Sequence, residues 1–233
     1  MSDTYIAENL NAVRAELACA EAAVGREGKT VLIAAVKYAS DEELAALLAL
    51  GVTDIGENRV QQLLAHWETA RAYGARVHFI GTLQRNKVKY IVDKVSAIHS
   101  VDSVALAAEI SRRAVATGRV IDVFAEVNSG REEAKSGVMP EEALPLCREI
   151  AALPGLSLQG LMTMAPHCES PAEYRTYFRQ TGELAERIWQ ELGLVGEPQL
   201  SMGMSESFAA AIAEGATMVR VGRRLFAKPS NLT

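Results

Sequence analysis

The chain is 233 residues long, with 49% hydrophobic residues, 23% charged residues and a formal net charge of −5. That length suits one large domain with a full core, and the acidic balance argues against a nucleic-acid or membrane-surface binder. No apolar run approaches the roughly 20 residues of a membrane helix, and the opening Met1-Ser2-Asp3-Thr4-Tyr5 lacks the basic and apolar pattern of a signal peptide. The three cysteines, Cys19, Cys147 and Cys168, are widely spaced; they point away from a disulfide framework or a zinc cluster, so no metal site is expected, and they fit a reducing cytoplasm.

From about Asp3 to Arg26, the residues Ile6, Leu10, Val13, Leu17 and Ala20 recur every three or four positions. This is one apolar helical face, with Gly28 beyond its end. Val31-Leu32-Ile33-Ala34-Ala35-Val36 then runs unbroken to Lys37. A short, β-branched run of this kind predicts a strand buried on both faces, as in a parallel sheet. Ser40 with Glu43 forms a capping box for a helix that ends at Gly51. Thr53–Gly56 is a short strand, followed by Glu57-Asn58 and a helix from about Arg59 to Tyr73. Val77–Ile80 is the third strand, and a helix carries Asn86 to Asp93. Ser96–Val101 is the fourth strand, and Asp102 or Ser103 caps a helix that runs to about Thr117.

The alternation continues to the end. Val120–Val127 is a strand, Ser129–Gly137 a polar loop, and Pro140 opens a helix at the position where a missing N–H costs nothing. Leu156–Met162 is a strand, followed by a helix from about Pro171 to Leu192. Gln199–Met202 is a strand and Ser205–Glu214 a helix. Thr217–Val221 is the eighth strand, and a short last helix is expected near Gly222. Eight βα units over residues 1–233, without linker or low-complexity run, predict a single closed (β/α)8 barrel, a TIM barrel of the α/β class, with one extra N-terminal helix. The runner-up, an open doubly wound sheet, would usually carry a glycine-rich turn after its first strand; Lys37-Tyr38-Ala39-Ser40 has none.

Barrel active sites form at the carboxyl ends of the strands. Those ends carry Lys37, Glu57-Asn58, Gly81, Asn128, Thr163, Ser201-Met202-Gly203 and Arg220-Val221-Gly222. A lysine partly desolvated at such an edge is a candidate nucleophile toward a carbonyl, although many strand-end lysines simply turn to solvent. Ser201-Met202-Gly203-Met204-Ser205 and Val221-Gly222-Arg223 follow strands seven and eight, where barrels often hold phosphate. Gly222 would let an anion approach backbone N–H groups; both glycines could equally be ordinary turn formers. A Schiff-base lysine, a phosphate site and a strand-end arginine together suggest pyridoxal 5′-phosphate, with Arg220 as the partner of the ring nitrogen. A salt bridge to a neighbouring carboxylate is the plainer role for Arg220. His78 is expected to be a hydrogen-bonded structural histidine, the methionines near strand ends to be apolar walls, and Asn58 either a cofactor contact or a helix cap.

These residues closely resemble the pyridoxal-phosphate homeostasis protein family. The matching segments are Ala35-Val36-Lys37, Gly56-Glu57-Asn58 with Val60-Gln61, His78-Phe79-Ile80-Gly81, Leu83-Gln84, Asn86-Lys87, Val127-Asn128, Lys135-Ser136-Gly137, Gly160-Leu161-Met162, Ser201-Met202-Gly203-Met204-Ser205 and Met218-Val219-Arg220-Val221-Gly222. The resemblance implies a barrel like the N-terminal domain of alanine racemase. It implies a lysine aldimine of pyridoxal 5′-phosphate on Lys37, and phosphate contacts from Ser201, Gly222 and the backbone of Arg223. Arg220 would sit near the ring nitrogen, with Asn58 and Met202 completing the cofactor-binding set. Arg223 and Tyr38 depart from the family, which often has a Ser or Thr hydroxyl after Arg-Val-Gly and a small polar residue after the lysine. The resemblance favours a non-catalytic cytoplasmic carrier or buffer in vitamin B6 homeostasis, without catalytic residues. It would be a monomer or weak dimer, with the cofactor and its apo-enzymes as partners. The alternative is an amino-acid racemase or lyase of the alanine racemase type. A sugar-phosphate enzyme is a third possibility, for which Glu57 is the available base.

Overall fold

In the computed structural model, which describes residues 4–228, eight parallel strands close into a barrel in sequence order. They are β1 (Val31–Ala35), β2 (Asp54–Glu57), β3 (Arg76–Phe79), β4 (Ala97–Val101), β5 (Ile121–Val127), β6 (Leu156–Thr163), β7 (Gln199–Ser201) and β8 (Met218–Val221). The seam pairs β8 with β1, aligning Ile33 with Arg220 and Ala34 with Val221. Around it lie α1 (Thr4–Ala22), α2 (Asp41–Ala49), α3 (Val60–Ala72), α4 (Val104–Ala116), α5 (Ala143–Ala152), α6 (Pro171–Leu192) and α7 (Phe208–Ala213). Asp3 and the residues beyond 228 lie outside the described residues.

Local chemistry explains most boundaries. The Ser40 hydroxyl accepts from Glu43 N while the Glu43 carboxylate accepts from Ser40 N, so the predicted capping box starts α2. Of the two candidate caps before α4, Ser103 is the one used. Ser170 caps α6, with Pro171 at its first turn and Gly193 closing it at φ 61°.

Two expected helices differ. The segment after β3 is a 3-10 turn over Arg85–Tyr90 rather than an α-helix. Val88, Ile91 and Val92 are fully or nearly fully buried there; β-branched residues are weak helix formers, and a tighter turn with eclipsed i and i+3 side chains suits this packing. Among the described residues no helix follows β8; Leu225 N donates to Gly222 O, making a single turn, and Pro229 follows closely in sequence. The N-terminal α1 packs between α7 and α2, the place a helix after β8 would occupy. Asn9 Nδ2 donates to Leu225 O and Ala227 O and ties the two segments together.

The main apolar core lies between sheet and helices, with Ile6, Leu47, Leu63, Ile110, Ile188 and Phe208 all fully or almost fully buried. Each such side chain contributes roughly 1.5–3 kcal/mol of transfer free energy. The barrel interior is different. Beside a small apolar cluster of Ala97, Phe124 and Met162, it buries Asp54, His78, His99, Ser201 and Arg220. That polar interior lies directly beneath the carboxyl-end mouth.

Candidate functional site

A cavity of about 420 Å³ opens at the carboxyl ends of the strands, within the range of about 300–1,000 Å³ usual for ligand pockets. Ala35, Lys37, Tyr38, Asn58, Ile80, Arg220, Gly222 and Arg223 line it from β1, β2, β3 and β8 and the loops that follow them. Met164 and Tyr174 come from β6 and its helix, and Met204, Ser205, Glu206 and Ser207 from the loop after β7.

Lys37 follows the end of β1 and is half-buried. Its backbone carbonyl accepts from Gln62 Nε2, and its Nζ lies 4.8 Å from the centroid of the Tyr38 ring. A turn after the strand, closed by Ala39 N donating to Val36 O, brings Tyr38 beside Lys37, where strict strand alternation would separate them. Asn58 Oδ1 is buried without a hydrogen-bond partner among the described residues. Such a group is costly unless something binds it. Gly81 is required beside it, since a Cβ there would stand 2.2 Å from Asn58 O.

Arg220 is buried at the floor. Its Nη1 donates to Ser201 O at 2.6 Å and to Ser201 Oγ at 2.8 Å, and its Nη2 donates to Thr163 O at 2.9 Å. Among the described residues no carboxylate forms an ion pair with it. Burial lowers its pKa to about 10, while the charge of Glu126 works in the opposite sense, so it is a cation at neutral pH. Glu126 is itself buried; desolvation and the Asp102 charge push its pKa up to about 7, against the pull of Arg220.

Two expected contacts lie elsewhere. Ser201 is completely buried and does not line the cavity; its hydroxyl is held by Arg220 and by His99 Nδ1 at 2.8 Å. Strand alternation turns it into the barrel below the floor. Met202, the next residue, turns to the outer side and is fully buried in the main apolar core. The serines that do face the cavity are Ser205 and Ser207, past Gly203, whose φ of 93° bends the chain toward the mouth. Ser205 closes the Ser-Met-Gly-Met-Ser motif, and the turn at Gly203, beyond the end of β7, is what carries it to the mouth. Arg223 Nη2 donates to Glu206 Oε1 at 2.9 Å in an exposed pair at the rim, so its side chain turns away from the floor.

Glu57 is also outside the cavity. It faces outward onto α3, with Oε1 2.6 Å from His66 Nδ1. Burial raises its pKa and the His66 contact opposes the shift. It is not placed to act as a base at the mouth. His78 is structural in surroundings, bonded to Asp54 and to His99; His99 itself was not legible as part of the site.

The sequence matches the family described as alanine racemase, N-terminal domain, over residues 9–228. A pyridoxal phosphate homeostasis protein of Aquifex aeolicus is 44% identical over 213 residues, which cover 91% of this chain and 92% of the relative. The chain belongs to the pyridoxal phosphate homeostasis protein family. Solved structures agree. A structure described as an unknown protein from Bifidobacterium adolescentis superposes with a TM-score of 0.88 at 36% identity, covering 96% of this chain and 95% of the other. PipY of Synechococcus elongatus, solved with pyridoxal phosphate bound, superposes with a TM-score of 0.84 at 32% identity, covering 95% of this chain and 99% of PipY. Both superpositions run along nearly the whole of this chain.

Proposed function

We propose that this chain binds pyridoxal 5′-phosphate in the mouth cavity and serves as a carrier or buffer of that cofactor. The observation that carries the reading is the convergence of Lys37, Arg220 and the Gly222 cradle on one cavity; PipY, a relative of the same fold, holds the same cofactor. The site fits the group. Lys37 supplies an amine for its aldehyde, Arg220 a cation that would face the ring nitrogen and keep it unprotonated, and Asn58 Oδ1 an unused acceptor. Gly222, the Arg223 N–H, Ser205 and Ser207 would receive the phosphate, a place that Ser201 and Met202 do not reach. When bound, pyridoxal phosphate supplies an electrophilic carbonyl and an electron-withdrawing ring.

This chain's own residues do little beyond holding it. Arg220 stays charged and so weakens the ring as an electron sink, and Glu57 is committed to His66. The carrier reading is tested by loading the purified protein with pyridoxal phosphate, recording its visible spectrum before and after borohydride, and following transfer to an apo-enzyme that requires the cofactor. Failure to develop a visible band would overturn it.

A further inference from the structure

A file of polar side chains from five strands crosses the barrel interior. Arg76 Nη2 and Thr53 Oγ1 each donate to Asp54 Oδ2 at 2.8 Å. Asp54 Oδ1 lies 2.9 Å from His78 Nε2, His78 Nδ1 lies 2.9 Å from His99 Nε2, and His99 Nδ1 lies 2.8 Å from Ser201 Oγ. Arg220 Nη1 then donates to the same hydroxyl oxygen at 2.8 Å. The file begins at the amino-end rim, where Asp54 and Arg76 line a second cavity of about 310 Å³, and it ends at the floor of the mouth. His99 also stacks on Phe124, with ring centroids 4.3 Å apart, which fixes the plane of its imidazole.

The proton positions follow from the two ends. Burial pushes the Asp54 pKa up, but hydrogen bonds from His78, Arg76 and Thr53 outweigh burial and hold it at about 2. An ionised carboxylate only accepts, so His78 Nε2 carries a hydrogen. Burial drives His99 well below the ordinary histidine range, helped by the charge of Arg220, so His99 has one N–H. Among the described residues the Ser201 hydroxyl hydrogen finds its acceptor in His99 Nδ1, so His99 carries its hydrogen on Nε2 and donates it to His78 Nδ1, while the hydroxyl lone pairs accept from Arg220. Every joint then holds one hydrogen. The opposite sense would place a hydrogen on His99 Nδ1 and leave the Ser201 hydroxyl hydrogen without an acceptor among the described residues.

We propose that His78 and His99 are positioning residues for Arg220: they lock the Ser201 hydroxyl hydrogen toward His99, so that its lone pairs hold the guanidinium at the cavity floor. Three of the five N–H groups of Arg220 are committed to Ser201 and Thr163, which leaves two without a partner among the described residues. The charged groups facing the file are Asp54, Arg76 and Arg220 at its ends, and Asp122 and Glu126 from β5. The inference rests on the cofactor reading only for what Arg220 finally touches.

Nitrogen NMR of the cofactor-free protein tests the file directly. Both His78 and His99 are expected as Nε2–H tautomers, and the Arg220 side-chain resonances should be resolved and slow to exchange. Ser201→Ala and His99→Gln should broaden the Arg220 resonances; Ser201→Ala, which removes one buried oxygen, keeps the test alive if His99→Gln does not fold. A His99 Nδ1–H tautomer, or unchanged Arg220 resonances in Ser201→Ala, would overturn the proposal. With pyridoxal phosphate bound, both variants should shift the pH midpoint of the visible band by about half a pH unit or more, in the direction seen for Arg220→Gln. If Arg220→Gln moves the band and Ser201→Ala does not, the file does not act through Arg220 and the proposal falls. If Arg220→Gln itself leaves the band unmoved, the placement of Arg220 beside the cofactor is what fails, and the resonances of the cofactor-free protein decide the file by themselves.

Discussion

Gly222 packs directly against the backbone of Ala35: a Cβ built on Gly222 would stand 2.8 Å from Ala35 O and 3.2 Å from Ala35 Cβ. The contact joins the ends of β8 and β1, so the same glycine packs the barrel seam and lines the cavity. Gly222→Val should therefore do two things. It should destabilise the fold by about 1–3 kcal/mol through overpacking, read as a lowered urea midpoint. It should also weaken pyridoxal phosphate more than pyridoxal, and equal losses for both ligands would count against a phosphate site at Gly222.

Lys37→Ala should abolish the visible band and the covalent mark left by borohydride, with little change in stability. The side chain is half-buried, and the bond from Gln62 reaches its backbone carbonyl, which the substitution keeps. Peptide mapping that finds the reduced cofactor on Lys87 or Lys135 would place the site elsewhere.

Ser205→Ala and Arg223→Ala separate hydroxyl from charge. A hydrogen bond to a charged group is worth about 1.5–3 kcal/mol, so Ser205→Ala should weaken pyridoxal phosphate about tenfold or more while leaving pyridoxal unaffected. Arg223→Ala should change either affinity by less than about twofold, because the side chain is exposed and paired with Glu206. A large loss in Arg223→Ala would show that its guanidinium turns from Glu206 to the ligand. Equilibrium dialysis with both ligands measures all four values.

Glu126 predicts a pH dependence of stability. Its folded pKa is about 7, against about 4.3 unfolded, so between those values the native state binds the additional proton. Stability should then fall as pH rises through this window, by about 4 kcal/mol in all, and level off above it. His99 contributes with the opposite sign, since its neutral form is favoured in the fold. That contribution is common to wild type and Glu126→Gln, so the difference between their urea midpoints from pH 4.5 to 8 isolates Glu126. A constant difference across that range would contradict the assignment.

Tyr38 bears on carrier against enzyme. It stands beside Lys37 and is 74% exposed, and it is an acid/base candidate at the mouth. With the cofactor-loaded protein in heavy water, L-alanine should retain its Cα hydrogen over hours. Rapid exchange that disappears in Tyr38→Phe would mean that the protein turns over amino acids, and the carrier reading would be abandoned.

The sequence by itself determined the alternation of strands and helices, the capping box at Ser40 and the place of Lys37 at a strand end. Each depends on residues within a few positions of one another: an unbroken β-branched run, a cap, a glycine past a helix end. The fold class followed from repeating that local pattern eight times. Tertiary structure decided the rest, because the interior of a closed barrel is assembled from positions far apart in the chain. Asp54, His78, His99, Ser201 and Arg220 come from five strands, and only the closed register brings them into one hydrogen-bonded file. Ser201 was expected at a phosphate and lies under the floor, since alternation along β7 sends it inward while the turn at Gly203 carries Ser205 to the mouth. The helix expected after β8 is replaced by the packing of α1 between α7 and α2; the apolar face of α1 was legible, but the neighbours that bury it were fixed only when the barrel closed.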